Sequence, residues 1–490
     1  MNLKKIVAAG LTVATAFGLV ACGGTTTAMG PAGHNEDISM GTWWLQYYDS
    51  NSANMEVSPD WVTAQADMAS DNADTAEQGK INADVAQRKW DNVKTIEDKY
   101  DVKFHWDNLT YTGVQDSINT SILAGSPDCD IYLVDTTMAI PAQMNGLALD
   151  LKTVLPADHD IFTTQNVMSY LDLGDGKACL LYNVMAQSLI EGTYPLAFNI
   201  QMLEANNLED PRDLYARGEW TWDKFNEYCK VLTQDTDGDG QTDQYGYCGF
   251  VNETFEGLMF SNGASVAASG TEGLSSAETG AVLQEIYDMY NTFNVCYPYD
   301  AYLDGGNPSD SMRIQYNQGN IGFFPIAVWI QNANANYNTS IWNTPGEDTD
   351  LTWDTAFVRW PVGPNGNQET NAGKNLTSGS YYILPTGVQE PELVFNVLYD
   401  WFNWYDGDTS LRDNKKTMNW WYTCNAKTPE LQELNVEVMK DCGLHSTMDF
   451  WNSLGIEYNL EDLIKGTMTP AQIQETHKQE VQDAVSKIFK

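Results

Sequence analysis

A run of closely spaced aspartates, residues 235–243, has the side-chain spacing of a calcium-binding loop. Oxygens at the first, third and fifth positions converge on a hard cation, and Gly240 at the sixth position permits the sharp turn that such a loop needs. The seventh position offers a carbonyl oxygen, and the ninth binds directly or through water. The five predicted Ca²⁺ ligands are Asp235, Asp237, Asp239, Gln241 and Asp243.

This loop lacks the bidentate glutamate that normally completes a calcium shell, because its twelfth position is Gly246. A ligand from a distant segment, or water, would have to fill that place. A solvated acidic turn is the alternative interpretation, but uncompensated carboxylates at this spacing repel one another, which favours a bound cation. Because a full oxygen shell leaves no open coordination position, the predicted role of the ion is structural.

The composition narrows the possible ligands. Among 490 residues, 67 are acidic and 26 basic, which gives a net charge of −41. This charge repels phosphate backbones and anionic lipid headgroups, so it argues against nucleic-acid binding and against polybasic docking to membranes. The chain also contains 16 Trp, 25 Tyr and 16 Phe. An acidic, aromatic-rich protein suits a ligand that is neutral and hydroxylated, or one that is cationic.

The first 21 residues have the features of an export signal. Two lysines precede an apolar run, 6–21, that is too short to span a bilayer and ends in small residues. The run closes as Leu-Val-Ala-Cys-Gly, which resembles the lipobox of bacterial lipoproteins and predicts lipid attachment at Cys22. An ordinary secretory signal is the alternative. Residues 22–35 are predicted to be a flexible tether, so the protein is expected on the outer face of the cell membrane, anchored by lipid.

The apolar residues of the remaining chain predict alternating strands and helices. Residues 38–44 and 102–106 have the pattern of strands, and the short apolar run 131–134 is typical of a parallel strand buried on both faces. A helix is predicted over 221–232, and a capping box predicts the start of the last helix at Thr469. This alternation predicts an α/β fold with parallel sheets.

Ligands of open α/β sheets bind outside the carboxyl ends of the strands, which selects the polar and aromatic residues that follow each predicted strand. The weaker candidates lie elsewhere and are Trp360, Trp420 and Trp421. Trp220 and Trp222 are assigned to packing. The main candidates are Trp43, Trp44, Tyr47, Tyr48 and Asp49 after the first strand, Trp106 and Asn108 after the second, Asp135 after the third, and Asn252, Glu253, Phe255 and Trp329 after later strands.

Several segments, taken in their order along the chain, resemble the bacterial extracellular solute-binding proteins of family 1, the maltose-binding type. The likeness spans nearly the whole chain after the tether, although no single segment decides it. The segments are 99–106 (KYDVKFHW), 121–135 (SILAGSPDCDIYLVD), 195–211 (PLAFNIQMLEANNLEDP), 219–225 (EWTWDKF), 316–329 (YNQGNIGFFPIAVW) and 469–471 (TPA).

The resemblance implies a two-lobed, type II periplasmic-binding-protein-like fold, in which each lobe is a mainly parallel sheet flanked by helices and a hinge joins the lobes. It places 36–182 with 376–410 in the first lobe and 183–375 with 411–490 in the second. It implies a monomeric receptor that closes on a carbohydrate, expected to be an oligosaccharide, and delivers it to the permease of an ABC importer. The candidates that it supports most are Trp44, Asp135, Glu253 and Trp329.

Other functions remain open on the sequence alone. The same scaffold could bind cationic peptides or polyamines, which the negative charge favours, or it could signal instead of feeding a transporter. A glycan-active surface enzyme would need two carboxylates at a defined separation, and such pairs are bound to occur among 67 acids. The sequence contains no HExxH, GxSxG or P-loop motif, so it favours a binding protein over an enzyme.

Overall fold

The computed structural model describes residues 35–43, 73–184, 192–268, 270–298, 312, 315–316, 318–326, 354–413 and 428–488. The predicted export signal, the lipobox residue Cys22 and nearly all of the predicted tether lie outside the described residues. None of the helices within these ranges combines the length and the apolar character that crossing a membrane requires.

Short strands form two separate sheets and a small ribbon. The strands in chain order are β1 (Asp37–Thr42), β2 (Lys103–Asn108), β3 (Ile131–Asp135), β4 (Met168–Leu171), β5 (Leu180–Asn183), β6 (Leu196–Asn199), β7 (Tyr245–Tyr247), β8 (Ile321–Pro325), β9 (Thr355–Val358), β10 (Lys374–Asn375), β11 (Ser380–Ile383) and β12 (Ser446–Thr447). The first sheet has the order β2-β1-β3-β11-β5-β4, the second has the order β7-β8-β6-β9, and β10 pairs with β12.

Helices cover the sheets. The first and ninth helices pack against each other beside the first sheet, and the seventh, eighth and thirteenth pack together beside the second. The helices in chain order are α1 (Ala73–Tyr100), α2 (Tyr111–Ser117), α3 (Thr136–Met144), α4 (Ile200–Ala205), α5 (Pro211–Ala216), α6 (Trp222–Leu232), α7 (Val251–Ser261), α8 (Ala277–Tyr287), α9 (Pro391–Phe402), α10 (Thr409–Arg412), α11 (Pro429–Leu444), α12 (Leu460–Ile464) and α13 (Pro470–Ile488).

The predicted α/β class is confirmed, but the sheets are mixed rather than mainly parallel. Strand β1 runs parallel to β2 and β3, whereas β11 runs antiparallel to β3 and β5, and β4 antiparallel to β5. In the second sheet β7 is parallel to β8, but β6 is antiparallel to β8 and β9. The cause in the first sheet is that β11 returns from the second sheet and begins where β3 ends, with Ser380 opposite Asp135.

The local sequence patterns explain the elements that the sequence predicted. The apolar part of β3 is buried on both faces, as its run of apolar residues indicated. Helix α6 begins after Thr221, whose hydroxyl accepts a hydrogen bond from the amide of Lys224, and it buries its apolar face. The capping box of α13 is also present, since the Thr469 amide donates to Gln472 Oε1 at 2.8 Å and the Gln472 amide donates to Thr469 Oγ1 at 3.3 Å.

Aromatic side chains fill the core of the second sheet. The ring of Phe225 lies 5.9 Å from that of Trp220 and 5.2 Å from that of Phe323, both at angles typical of edge-to-face packing. Trp220 and Trp222 are buried, which confirms their predicted packing role. The six cysteines that the described ranges contain are also buried and form no disulfide.

Candidate ligand-binding site

A carboxylate and two aromatic rings meet at the carboxyl edge of the first sheet. Asp135 ends β3 and caps α3, because its Oδ1 accepts a hydrogen bond from the Met138 amide at 3.1 Å. Its Oδ2 accepts one from the Tyr111 hydroxyl at 2.6 Å. The ring of Trp43, just beyond β1, lies 5.7 Å from the Tyr111 ring in an edge-on arrangement. The structure therefore brings together two of the predicted residues, Trp43 and Asp135, and adds Tyr111.

Tyr111 is the residue of this group that sequence reasoning missed. It is 41% exposed and opens α2, directly after Thr110, whose hydroxyl caps that helix. Burial of its phenol and the hydrogen bond to Asp135 raise the pKa of Tyr111 to about 12, so the hydroxyl stays protonated and donates to the carboxylate. The available signal was its position beyond the carboxyl end of β2, three residues after the predicted candidate Asn108. We call Trp43, Tyr111 and Asp135 the first-sheet group.

The other predicted residues of the first sheet lie apart from this edge. Trp106 belongs to the core, with 4% of its side chain exposed, and its ring packs 4.6 Å from Phe104 and 6.1 Å from Trp401. It has no free face for a ligand, because β2 directs it towards α9. Asn108 is partly buried and accepts a hydrogen bond from the Thr42 hydroxyl at 3.5 Å. The predicted residues that lie outside the described ranges are Trp44, Tyr47, Tyr48, Asp49 and Trp329, together with Trp420 and Trp421.

A pocket beside the second sheet contains two more predicted residues, Glu253 and Trp360. Helix α7 follows β7 and places Glu253 in its first turn and Glu256 one turn later. The Trp360 indole donates to the carbonyl oxygen of Tyr194 at 2.7 Å, which fixes the ring against α7. We call this the α7 pocket; its lining residues are Tyr194, Glu253, Glu256, Gly257, Phe260, Trp360, Ala372 and Gly373.

The remaining predictions on α7 lie outside this pocket. Asn252 is exposed to solvent. Phe255 is fully buried, and its ring lies 5.1 Å from the ring of Trp451. The period of the helix explains why Phe255 lies outside the pocket that Glu253 lines, because side chains two positions apart point to different faces. Glu256, which the sequence analysis did not select, shares the pocket face with Glu253 because the two are three positions apart.

Hydrogen bonds connect the α7 pocket to the segment that leads back to the first sheet. The Asn375 amide group donates to Glu256 Oε2 at 3.0 Å and to the carbonyl oxygen of Asp449 at 2.9 Å. The indole of Trp451 also donates to Glu256 Oε2, at 2.7 Å. Two residues later, the Thr377 carbonyl accepts a hydrogen bond from the hydroxyl of Thr136, which follows Asp135. Residues 375–377 thus contact the framework of both candidate regions.

Burial changes the acidity of Glu253. The low polarity around the carboxyl group, together with the charge of Glu256, raises the pKa of Glu253 to about 7 from its usual value near 4.5. Its own backbone amide opposes this shift. A carboxyl group with this pKa holds its proton in mildly acidic solution and loses it around neutrality.

We expect the substitution Glu253→Gln to stabilise the free protein at pH 8 but not at pH 4. Between about pH 4.5 and 7 the unfolded chain loses the Glu253 proton before the folded chain does, so folded-state stability falls as pH rises. The shift corresponds to roughly 3 kcal/mol, at 1.36 kcal/mol per pKa unit. Thermal unfolding of both proteins across this pH range measures the difference, with the exposed Glu278→Gln as control. A constant difference at all pH values would contradict the prediction.

The predicted calcium loop brings three carboxylates together. Asp235, Asp237 and Asp239 each place an oxygen within 4.8 Å of the others, and all three are exposed. Backbone amides support this arrangement, since Asp235 accepts hydrogen bonds from the amides of Gly238 at 2.7 Å and Gly240 at 2.8 Å. A set of carboxylate oxygens at these separations fits a hard cation.

The other two predicted calcium ligands lie differently. Asp243 accepts hydrogen bonds from the Thr236 amide at 2.8 Å and the Thr236 hydroxyl at 2.9 Å, and these bonds lower the pKa of Asp243. The Asp243 carboxylate therefore binds the beginning of its own loop, and it is not among the three clustered carboxylates. The backbone amide of Gln241 donates a hydrogen bond to Asp239 Oδ1 at 2.7 Å.

Solved structures match the chain along nearly its whole length. An ABC substrate-binding protein from Listeria monocytogenes, in complex with cycloalternan, is 14% identical with a TM-score of 0.53, and the match covers 92% of this chain and 98% of that one. The maltose/maltodextrin-binding domain MalE from Bdellovibrio bacteriovorus, bound to maltotriose, is 13% identical with a TM-score of 0.54, over 92% and 98%. The chain has the fold of these binding proteins.

The two-lobed fold that the family resemblance implied is thereby confirmed. A cyclic α-maltosyl-1,6-maltose binding protein from Arthrobacter globiformis shares this solute-binding-protein fold, at 14% identity and a TM-score of 0.53 over 92% of this chain and 99% of that one. No protein-family model matches the sequence, and no curated protein matches it. In this fold the first-sheet group and the α7 pocket belong to different sheets.

Proposed function

We propose that this protein is an extracellular solute-binding protein that captures a carbohydrate, expected to be an oligosaccharide, and delivers it to an ABC importer. The first-sheet group carries the proposal. Aromatic rings cover the C–H face of a sugar, and a carboxylate accepts hydrogen bonds from its hydroxyl groups. Trp43, Tyr111 and Asp135 combine both features at the carboxyl edge of the sheet, where ligands of α/β proteins bind.

The neighbours in fold support this assignment. The Listeria protein is in complex with cycloalternan and the Bdellovibrio domain is bound to maltotriose. The Arthrobacter protein is a binding protein for cyclic α-maltosyl-1,6-maltose. These neighbours favour a receptor over a glycan-active enzyme, and we propose that the receptor acts as a monomer. The proposed lobes are 36–182 with 376–410 and 183–375 with 411–490. A bound ligand stabilises the closed arrangement of the lobes because it makes additional contacts in that arrangement.

The proposed location is the outer face of the bacterial cell membrane. The first 21 residues would direct export, lipid on Cys22 would hold the protein at the membrane, and residues 22–35 would give it reach. This arrangement keeps the receptor close to the permease to which it delivers its ligand.

Substituting Tyr111 tests the proposed sugar site. We expect Tyr111→Ala to weaken oligosaccharide binding about tenfold, because the variant lacks the ring that faces the ligand, while Tyr111→Phe keeps most of the affinity. A thermal-shift panel of oligosaccharides first identifies a ligand, since a ligand at 100 times its Kd adds about 2.7 kcal/mol of stability. Titration calorimetry then compares the variants.

Tyr170→Ala is the matched control, because Tyr170 lies on β4 at the opposite edge of the same sheet. Its affinity for the sugar should equal that of the unmodified protein. Unchanged binding by Tyr111→Ala would remove the first-sheet group from the proposed site.

We also propose that Asp235, Asp237 and Asp239 hold a structural Ca²⁺, with Gln241 and Asp243 as further ligands in the bound loop. We expect a chelator to lower the thermal midpoint by several degrees and added Ca²⁺ to restore it, because a bound ion stabilises the folded state. Asp237→Asn should abolish this response, whereas Asp483→Asn on the exposed face of α13 should retain it. A midpoint that is insensitive to chelator in the unmodified protein would contradict the proposal.

A further inference from the structure

Strand β11 begins at the edge of the first sheet where β3 ends. The two strands are antiparallel and Ser380 lies directly opposite Asp135, so the carboxyl edge of β3 is also the starting edge of β11. Ser380 is exposed, whereas the other three residues of β11 are buried. A ligand at this edge therefore reaches β11 through its first residue.

The same register continues to β5 on the other side of β11. Tyr382 lies opposite Leu181 in the antiparallel pair of β11 and β5. Two positions nearer the edge, this register places Asn183, the last residue of β5, opposite Ser380. One row of side chains thus crosses three neighbouring strands, and we call it the edge row: Asp135, Ser380 and Asn183.

The side chains on this face of the sheet change from apolar to polar at the edge. Directly paired residues on neighbouring strands point to the same face. The next row inwards on that face consists of Leu133, Tyr382 and Leu181, which belong to one hydrophobic cluster. The edge row instead contains a carboxylate, a hydroxyl and an amide, and none of its three residues is fully buried. The core on this face therefore ends one row before the edge.

Hydrogen bonds fix the start of β11 relative to Asp135. The hydroxyl of Thr136, the residue after Asp135, donates to the carbonyl oxygen of Thr377, three positions before Ser380. The Thr377 hydroxyl donates to the carbonyl oxygen of Asp449 at 2.6 Å, and both threonines are buried. Groups that are held in place before a ligand arrives lose less conformational freedom on binding, which favours affinity.

The edge row complements the hydroxyl groups of a sugar. A sugar hydroxyl both donates and accepts, and so do the hydroxyl of Ser380 and the side-chain amide of Asn183, whereas the carboxylate of Asp135 accepts. Neighbouring strands lie about 4.8 Å apart, so the edge row spans about 10 Å. A carbohydrate that contacts the whole row therefore lies across the strands and is longer than one sugar ring.

We propose that Ser380 and Asn183 extend the sugar site beyond the first-sheet group, and that the carbohydrate lies along the carboxyl edge across β3, β11 and β5. Asp135 joins the two parts of this site. The rings of Trp43 and Tyr111 lie on the β1 and β2 side of Asp135, and the polar groups of the edge row lie on the β11 and β5 side. The inference rests on the proposed carbohydrate function and adds two ligand-binding residues to it.

Titration calorimetry with maltotriose, cellotriose and xylotriose tests the two residues. Ser380→Ala and Asn183→Ala should each raise the Kd of the trisaccharide that binds about three- to tenfold, because each variant loses one hydrogen bond to the ligand. Ser126→Ala is the matched control, since Ser126 is exposed and precedes β3 at the opposite edge of the same sheet. Its Kd should equal that of the unmodified protein.

Alkylation of Ser380→Cys by iodoacetamide tests the position of the ligand without relying on a loss of affinity. The six native cysteines within the described ranges are buried, so the introduced thiol should react ahead of them. Saturating trisaccharide should slow its alkylation at least about fivefold, because thiol reactivity depends on exposure. Ser126→Cys should react at the same rate with and without the sugar. Mass spectrometry of the peptides identifies which cysteine carries the label.

The results distinguish this inference from the proposed function. If a trisaccharide binds, but Ser380→Ala and Asn183→Ala keep the Kd of the unmodified protein and the sugar does not protect Ser380→Cys, the inference is wrong and the carbohydrate receptor stands. If no oligosaccharide of the thermal-shift panel binds, the carbohydrate function is wrong, and the inference fails with it because it names a sugar as the ligand of the edge row.

Discussion

Gly257→Ala is expected to lower the free energy of unfolding by about 3 kcal/mol. A β-carbon on Gly257 would overlap the indole of Trp360, so the ring must move away from α7. Overpacking of this kind costs about 1–3 kcal/mol, and the displaced indole also loses its hydrogen bond to Tyr194, worth about 1 kcal/mol. Urea unfolding measures this loss of stability.

Gly280→Ala is the matched control for this change. Gly280 also lies inside a helix, α8, but a β-carbon there would meet only the end of the Gln474 side chain, at 3.1 Å, which a shift of a few tenths of an ångström relieves. Because alanine favours helix over glycine by about 1 kcal/mol, this variant should be neutral or slightly more stable. If both variants unfolded at the same urea concentration, the close approach of Trp360 to α7 would have no energetic importance.

Asp449→Ala should lower the free energy of unfolding by about 3–5 kcal/mol, the largest loss that we expect from a single side chain outside the ligand site. Asp449 is 1% exposed, and its carboxylate accepts hydrogen bonds from the amides of Val266 at 2.9 Å and Trp451 at 2.9 Å, and from the Ser265 hydroxyl at 2.7 Å. Alanine leaves these donors buried without an acceptor, and each costs about 1–3 kcal/mol.

Two comparisons separate the lost hydrogen bonds from the lost charge. Burial raises the pKa of Asp449, because the charged carboxylate loses its hydration in the interior. Asp449→Asn removes this desolvation cost and keeps a side-chain oxygen as acceptor, so it should lose less stability than Asp449→Ala. Asp408→Ala removes an exposed carboxylate that caps α10 through the amides of Ser410 and Leu411, and should cost about 1 kcal/mol. A loss at Asp449 no larger than that at Asp408 would contradict the prediction.

The elements that the sequence predicted are those whose pattern is local. Strand β3 is buried on both faces and reads as a continuous apolar run, and Thr469 with Gln472 forms a capping box that depends on four neighbouring residues. The direction of β11 could not be predicted in this way, because its partners β3 and β5 are far away in the chain. The four residues of β11 indicate a mostly buried strand, but they do not specify the direction in which its distant partners run.

The site predictions also succeeded where a local pattern was sufficient and failed where contacts distant in sequence decide. The strand-end rule found Asp135 at the end of β3, Trp43 just after β1, and Glu253 in the helix that follows β7. It could not distinguish Trp106, a core residue inside β2, from an aromatic residue at the sheet edge, because the local sequence does not show where β2 ends. It also missed Tyr111, which joins the first-sheet group through its hydroxyl contact with Asp135, across 24 positions, and its ring contact with Trp43. That contact depends on where α2 packs, which no local pattern specifies.

The position of β11 between β3 and β5 has a consequence for biosynthesis. The first sheet begins at residue 37 and is completed only when residues 380–383 pair with strands made much earlier. On the ribosome, the nascent chain therefore has β3 and β5 with open edges for most of its synthesis, and such edges bind other extended chains readily. Late closure of the sheet slows folding until the chain is nearly complete, because contacts distant in sequence form slowly. For the proposed export of this chain, this order of strands leaves time for translocation before the first sheet is complete.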